Sequence, residues 1–258
     1  MIIININSLA RTGVLTHNKP RTLKIEFGVA VKQFVAVVMV AMAAIFVLVP
    51  STSEAASLSK PNIGTAVAGK NYQILSNFGK PRIAPGKVEV VEYFWYGCPH
   101  CNRLEPYIEN WAVKKPSYVV FRRVPVPFQG LWQVHARSFY AAQRLNVVDK
   151  THQAFFDAIH KERKPLTNKK NIAKFYSEYG VNIDEFNEVY DSFGVDSKMR
   201  LALREVNFYK INSVPAVVVN GKYLLNVGMA GSEANLIEVI KQLAKLESEN
   251  PLPSKEQG

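Results

Sequence analysis

The sequence predicts an α/β fold in which a central sheet is split in two by an all-helical insertion. Three observations predict it. Residues 88–95, Val-Glu-Val-Val-Glu-Tyr-Phe-Trp, are dense in β-branched and aromatic side chains, as in a central strand covered on both faces. Residues 131–212 carry helical patterning throughout. Beyond them, Val214-Pro215-Ala216-Val217-Val218-Val219, then Asn220-Gly221, then Lys222-Tyr223-Leu224-Leu225 read as a strand, a two-residue hairpin turn and a returning strand.

The elements follow in order. From Phe34 to Val49 runs an uncharged apolar stretch, preceded by Lys19, Arg21, Lys24 and Lys32 and followed by Pro50-Ser51-Thr52-Ser53-Glu54-Ala55-Ala56. A basic region, an apolar region and a small-x-small site make residues 1–55 a secretory signal with a long n-region, cleaved after Ala55. The long leader also fits a true start further downstream. An uncleaved membrane anchor is the alternative, but the stretch is short against the roughly 20 residues of a spanning helix. Residues 56–71 are polar and contain Gly and Pro, a mobile lead-in. Residues 72–75 read as an edge strand and 80–86 as a loop. The strand at 88–95 is followed by a helix from Cys98 with Leu104, Tyr107, Ile108 and Trp111 at helical spacing, kinked where Pro106 removes a backbone donor. Residues 118–124 form the next strand, so the first part of the sheet-bearing domain spans 72–130. The insertion, 131–212, divides into helices at 132–146, 150–163, 168–179, 184–192 and 196–212, with Pro165 and Gly180 as breaks. The second part of the sheet domain, 213–247, ends in a helix from the N-cap Ser232 to about residue 246. Residues 248–258 are polar with two prolines and read as a disordered tail. No internal repeat is evident.

Composition narrows the function. Of 258 residues, 48% are apolar and 11% aromatic, which fits a globular protein with a substantial core. The formal charge is +11; removing the first 55 residues, with five Lys/Arg and two Asp/Glu, leaves +8. Lys161, Arg163, Lys164, Lys169, Lys170 and Lys174 cluster locally without interleaved aromatics, which reads as a solvated helical face and not as a nucleic-acid groove.

The chemistry concentrates in Cys98-Pro99-His100-Cys101, which holds the only two cysteines of the chain. A CxxC pair at a strand-to-helix junction places the first sulfur at a helix N-terminus, where free N–H groups and the helix dipole favour thiolate. In an exported chain disulfide exchange is the leading use of such a pair. A structural disulfide and metal ligation are the alternatives; the second lacks further soft ligands, there being no other Cys. Exchange requires a thiolate that attacks a disulfide sulfur, the role expected of Cys98. Cys101, one turn in, is the expected resolving partner. Between them, an imidazolium at His100 would stabilise a neighbouring thiolate, and Pro99 rigidifies the turn. Glu92 stands on an otherwise apolar strand, where an ionisable group is buried at a cost, unless it reaches solvent at the strand end. Arg123 is a candidate partner for it by position. His135, His152 and His160 lie on helical stretches without ligand-like neighbours and read as core-edge or surface residues. Trp132, Phe139, Tyr140, Phe155, Phe156 and Phe175 read as insertion core.

These residues together resemble the DsbA family of periplasmic thiol:disulfide oxidoreductases, over residues 65 to 246. The Pro-His dipeptide between the cysteines, the acidic-aromatic lead Glu92-Tyr93-Phe94-Trp95-Tyr96-Gly97, and Val214-Pro215-Ala216 with Val219-Asn220-Gly221-Lys222-Tyr223 carry the resemblance. It implies a thioredoxin-like central sheet with an inserted all-helical domain. It also implies a cis Val214–Pro215 bond facing the cysteines, with the Val214 backbone free to pair with an extended peptide; from sequence alone, a proline opening a strand is an edge device. Glu92 is then a buried acid that moves a proton to or from Cys101. Val214, where isomerase relatives more often carry Thr, favours an oxidase. Asn102 departs from the family, which commonly has an aromatic there. The implied activity is oxidation of cysteines in newly exported, unfolded proteins, with reoxidation by a quinone-linked membrane protein resembling DsbB. No cofactor, metal or nucleic acid is implied. Isomerases of this group dimerise through an added N-terminal domain, which residues 56–71 leave no room for, so a monomer is expected. An exported reductase or isomerase of the same fold, and a chaperone-like module that binds peptides, are the rival readings.

Overall fold

The structure is a computed structural model that describes residues 64–76, 83–84 and 86–250. The expected signal at 1–55 and the tail beyond residue 250 lie outside the described residues. A five-stranded sheet has the order β1-β5-β4-β2-β3, with β1 at Gln73–Ile74, β2 at Val88–Phe94, β3 at Val119–Pro125, β4 at Ala216–Val219 and β5 at Tyr223–Leu225. β2 and β3 run parallel, joined by a crossover through helix α1 (Pro99–Lys114); the other pairs are antiparallel.

Alternation along β2 builds two layers. Val88 and Val90 face a core with Leu104, Ile108 and Trp111 of α1 and with Leu236, Ile240 and Leu243 of helix α8 (Glu233–Glu249). Val91 and Tyr93 face the opposite core, which the insertion covers. Every residue of β2 is buried. Residue 92 has the parity of 88 and 90, so a glutamate there points into the α1 layer without access to water.

The insertion comprises α2 (Leu131–Arg144), α3 (Val148–His160), α4 (Lys169–Ser177), α5 (Ile183–Tyr190) and α6 (Phe193–Phe208). Its core is aromatic, with Phe155, Phe156, Phe175, Tyr176 and Phe186 buried. Side-chain caps set three of the starts: Asn168 for α4, Asn182 for α5 and Ser192 for α6. The Ser192 cap explains why α6 begins three residues before the expected 196. It ends at Phe208, short of the expected 212, where Lys210 turns left-handed at φ 53°. A short helix α7 (Val227–Ala230), capped by Asn226, precedes α8 and is absent from the sequence reading. α8 starts at the expected cap Ser232 and runs on to Glu249.

Two local devices matter for the site. Asn220 and Gly221 both have positive φ, 51° and 65°, and Lys222 N–H donates to Val219 O at 3.0 Å, which closes the two-residue turn. Residues 64–72 lie against α8: Ala66 N–H donates to Gln242 Oε1 at 2.8 Å, and Gln242 Nε2 donates to Gly64 O at 3.0 Å. Among the described residues no helix is long and apolar enough to cross a membrane.

Candidate functional site

Cys98 is the N-cap of α1, and Pro99 opens the helix. Proline suits that position because its missing N–H would have no helical partner there. The Cys98 backbone is extended (φ −88°, ψ 116°), and its sulfur accepts the Cys101 N–H at 3.4 Å. The chain reaches this cap through a tight bend at Gly97, where a Cβ would lie 2.3 Å from the Trp95 ring. Cys98 and Cys101 stand as free thiols.

The two sulfurs titrate in opposite directions. Cys98 falls from an ordinary 9.0 to about 6. A hydrogen bond from the Cys101 thiol is the main cause, helped by the Cys101 and His100 backbone N–H groups and by the His100 ring, against the cost of burial. Cys101, fully buried, is pushed well above the ordinary thiol range, by burial first and then by the facing Cys98 sulfur and the Glu92 charge. A helix N-terminus thus yields one ionised and one protonated sulfur in a single turn.

The Val214–Pro215 peptide bond is cis, and Cys98 Sγ lies 3.5 Å from Val214 O. The loop before β4 therefore lies directly against the first cysteine, with Val214 half-buried and Pro215 buried. His100 is exposed, and its Nδ1 accepts from Arg103 Nη2. Arg103 also lies 3.7 Å from Glu233 at the start of α8. Asn102 is half-buried beside the pair.

Glu92 is fully buried, and its register partner across the parallel β2–β3 pair is Arg123. Arg123 Nε donates to Glu92 Oε2 at 3.2 Å, so the two do pair. The same guanidinium donates to Glu105 Oε1 at 2.6 Å and to Glu109 Oε2 at 2.7 Å. Burial, then the neighbouring Glu105 charge, push Glu92 up to about 8 despite Arg123. Burial also raises Glu105, but the His152 ring and Arg123 outweigh it and hold that carboxyl below the ordinary range.

Sequence reasoning missed Glu105 and His152. Glu105 stands four residues after Cys101 and next to Leu104, so helical spacing puts it on the inner face of α1. His152 precedes Phe155 and Phe156 by three and four residues, on the apolar face of α3. It is 4% exposed, with Nδ1 2.8 Å from the Tyr96 hydroxyl and Nε2 3.3 Å from Glu105 Oε2. His135 is also buried, donates from Nε2 to Leu166 O across 2.9 Å, and is lowered by burial to about 4. His160 Nε2 lies 2.8 Å from Tyr96 O. Trp132 stacks on Trp95 at 4.2 Å, nearly parallel, so it joins the insertion to the bend before Cys98 as well as to its own core. Among the described residues no cluster of three His, Cys, Asp or Glu is placed to hold a metal ion.

Comparison with known proteins agrees with this geometry. Residues 89–236 match the family model of the DSBA-like thioredoxin domain. The thiol:disulfide interchange protein DsbA of Azotobacter vinelandii is 43% identical over 195 residues, 76% of this chain and 89% of that protein. The DsbA of Burkholderia cepacia is 36% identical, over 77% of this chain and 93% of that one. The crystal structure of Pseudomonas aeruginosa DsbA superposes with a TM-score of 0.68 at 39% identity, covering 72% of this chain and 96% of that chain. With two thiols of opposed acidity in one helical turn, a cis-proline loop against the first of them, and relatives that carry this fold along nearly their whole length, the chain belongs to the DsbA family of thioredoxin-fold proteins and is a thiol:disulfide oxidoreductase.

Proposed function

We propose that this oxidoreductase works as a dithiol oxidase in the periplasm, introducing disulfides into newly exported proteins. Residues 1–55 are its export signal, and residues 131–212 are a helical insertion that completes the site. Oxidised enzyme carries the Cys98–Cys101 disulfide. A client thiolate attacks Cys98 Sγ; the Cys98–Cys101 bond breaks, and Cys101 leaves as a thiolate that takes a proton from Glu92. A second client thiolate attacks the client sulfur of the mixed disulfide, forming the client disulfide and releasing Cys98 as a thiolate. Two electrons pass to the enzyme. They leave in reverse order to an oxidant of the quinone-linked membrane class, resembling DsbB, with Glu92 taking the proton back from Cys101. An extended client strand pairs with the Val214 backbone beside Pro215.

The observation that carries this direction is the Cys98 thiol, held at about 6 at the helix N-cap. A thiolate stable at neutral pH stabilises the reduced enzyme, which makes its disulfide the stronger oxidant. The test is the equilibrium reduction potential of the pair in the chain starting at Ala56. The reference values are about −120 mV for an oxidising DsbA and about −270 mV for thioredoxin. A value near the first supports the oxidase. A value near the second makes the protein an exported reductase that needs an electron supply. Fractionation of cells producing the full chain tests the location: the mature form belongs in the periplasmic fraction.

A further inference from the structure

A continuous run of buried polar side chains connects the insertion to the acid beneath Cys101. The Tyr96 hydroxyl lies 2.8 Å from His152 Nδ1, and His152 Nε2 lies 3.3 Å from Glu105 Oε2. Glu105 Oε1 accepts from Arg123 Nη2 at 2.6 Å, and Glu92 Oε2 accepts from Arg123 Nε at 3.2 Å. A carboxylate only accepts, so the ring nitrogen facing Glu105 carries the hydrogen and Nδ1 accepts the Tyr96 O–H. The Phe94, Phe139 and Phe156 rings surround the imidazole, which excludes water.

The charges do not balance if every acid ionises. One guanidinium faces Glu92, Glu105 and Glu109. Glu109 is half-exposed and hydrated; Glu92 and Glu105 are buried. Two buried carboxyls beside a single cation share one proton, because both charges in a low-dielectric site cost too much. The geometry breaks the tie. Glu105 has the shorter contact to Arg123, 2.6 Å against 3.2 Å for Glu92, and the His152 ring 3.3 Å from its other oxygen. Glu92 has no such second neighbour of positive or donor character, and both Glu92 Oε1 and Glu105 Oε2 are without a hydrogen-bond partner among the described residues.

We propose that His152 is a positioning residue of the exchange reaction: reaching in from the insertion, it keeps Glu105 ionised and so leaves the shared proton on Glu92, the carboxyl that serves Cys101. The inference rests on the reading of Glu92 as the proton donor and acceptor for Cys101. The titratable groups that face the imidazole are Glu105 and Glu109 from α1, Arg123 from β3, Glu92 from β2 and Tyr96 from the loop before Cys98, with Tyr176 of α4 behind Tyr96. Without the ring, Glu105 competes for the proton, its repulsion of Glu92 weakens, and Glu92 titrates at lower pH.

Two measurements on the mature protein test this. The first is the infrared band of a protonated buried carboxyl, followed from about pH 5 to pH 9. The expected result is that Glu92→Gln removes the band across this range, whereas Glu105→Gln keeps it and shifts its loss to lower pH; a band that survives Glu92→Gln overturns the proposal. The second is the rate at which Cys101 resolves a Cys98–glutathione mixed disulfide, followed from pH 5 to pH 10, a range spanning the ordinary carboxylate and thiol values. The acid limb of the wild-type profile is expected to follow Glu92, and to vanish in Glu92→Gln. In His152→Phe it moves to lower pH by about one unit or more. In His152→Gln, which keeps an N–H toward Glu105, it stays near the wild-type position. A limb unmoved in His152→Phe but absent in Glu92→Gln overturns the role of His152 alone. A limb that survives Glu92→Gln overturns the Glu92 reading, and the infrared band then decides separately where the proton sits. If His152→Phe fails to fold, the Gln variant and the band in the two glutamate variants still decide.

Discussion

Cys98 and Cys101 are the same residue one helical turn apart, and the protein treats them oppositely. Cys98 caps the helix, with backbone N–H groups and a second thiol donating to its sulfur. Cys101 lies inside the first turn, fully buried, above a carboxyl that is itself reluctant to ionise. The difference teaches that the acidity of a thiol is set by which unpaired backbone groups reach it and by what lies behind it, far more than by its neighbours in sequence.

The largest break in this comparison is Cys98→Ser. It removes the sulfur proposed as the nucleophile, and oxidation of a dithiol peptide is expected to fall at least about 1,000-fold, to the uncatalysed background; measurable turnover would assign the nucleophile elsewhere. Next is Cys101→Ser, which leaves Cys98 reactive but removes the proposed leaving and resolving sulfur. Its Cys98 thiolate should attack an added disulfide-bonded client peptide, releasing one client thiol, and the resulting mixed disulfide should persist and be seen by mass spectrometry, while Cys98→Ser forms none.

The third prediction sharpens the comparison through pH. The folded value of Cys98 is depressed, so its contribution to the stability of the reduced protein is fully present above the unfolded value of 9.0 and lost as pH falls through about 6. Between those limits, denaturant unfolding of reduced wild type should gain stability with rising pH relative to Cys98→Ser. A difference that stays flat across the window would mean that the thiol is unperturbed. The smallest expected effect is that of His100→Gln. Its ring is exposed and accepts from Arg103, while its backbone N–H, which also favours the thiolate, remains. Thiolate absorbance at 240 nm should place the Cys98 midpoint higher by about half a unit, within the small range of exposed electrostatics.

How much of this was legible beforehand depended on the range of the interaction. β2 announced itself because both its faces are apolar, and the cap at Cys98 because a helix start is local chemistry. Glu92 stood out as a charge in an apolar run. Arg123 could be guessed as its partner because parallel strands put β2 and β3 in register. The Glu105–His152 contact was hidden, since it depends on how α3 docks against α1, which no periodicity reports. α7 escaped for a simpler reason: four residues carry too little pattern to read.

The bend at Gly97 has a consequence for how freely this site can vary. The Trp95 ring occupies the space that any side chain at residue 97 would need, and the same ring is stacked on Trp132 of the insertion. A methyl group added there would be passed along two stacked indoles to the neighbouring fold half. In a saturation scan, position 97 should therefore accept glycine alone, whereas Arg103, six residues on and exposed, should accept most of the alphabet. Diversity in the surface that meets clients has to come from residues beyond that bend, because the bend itself is closed to revision.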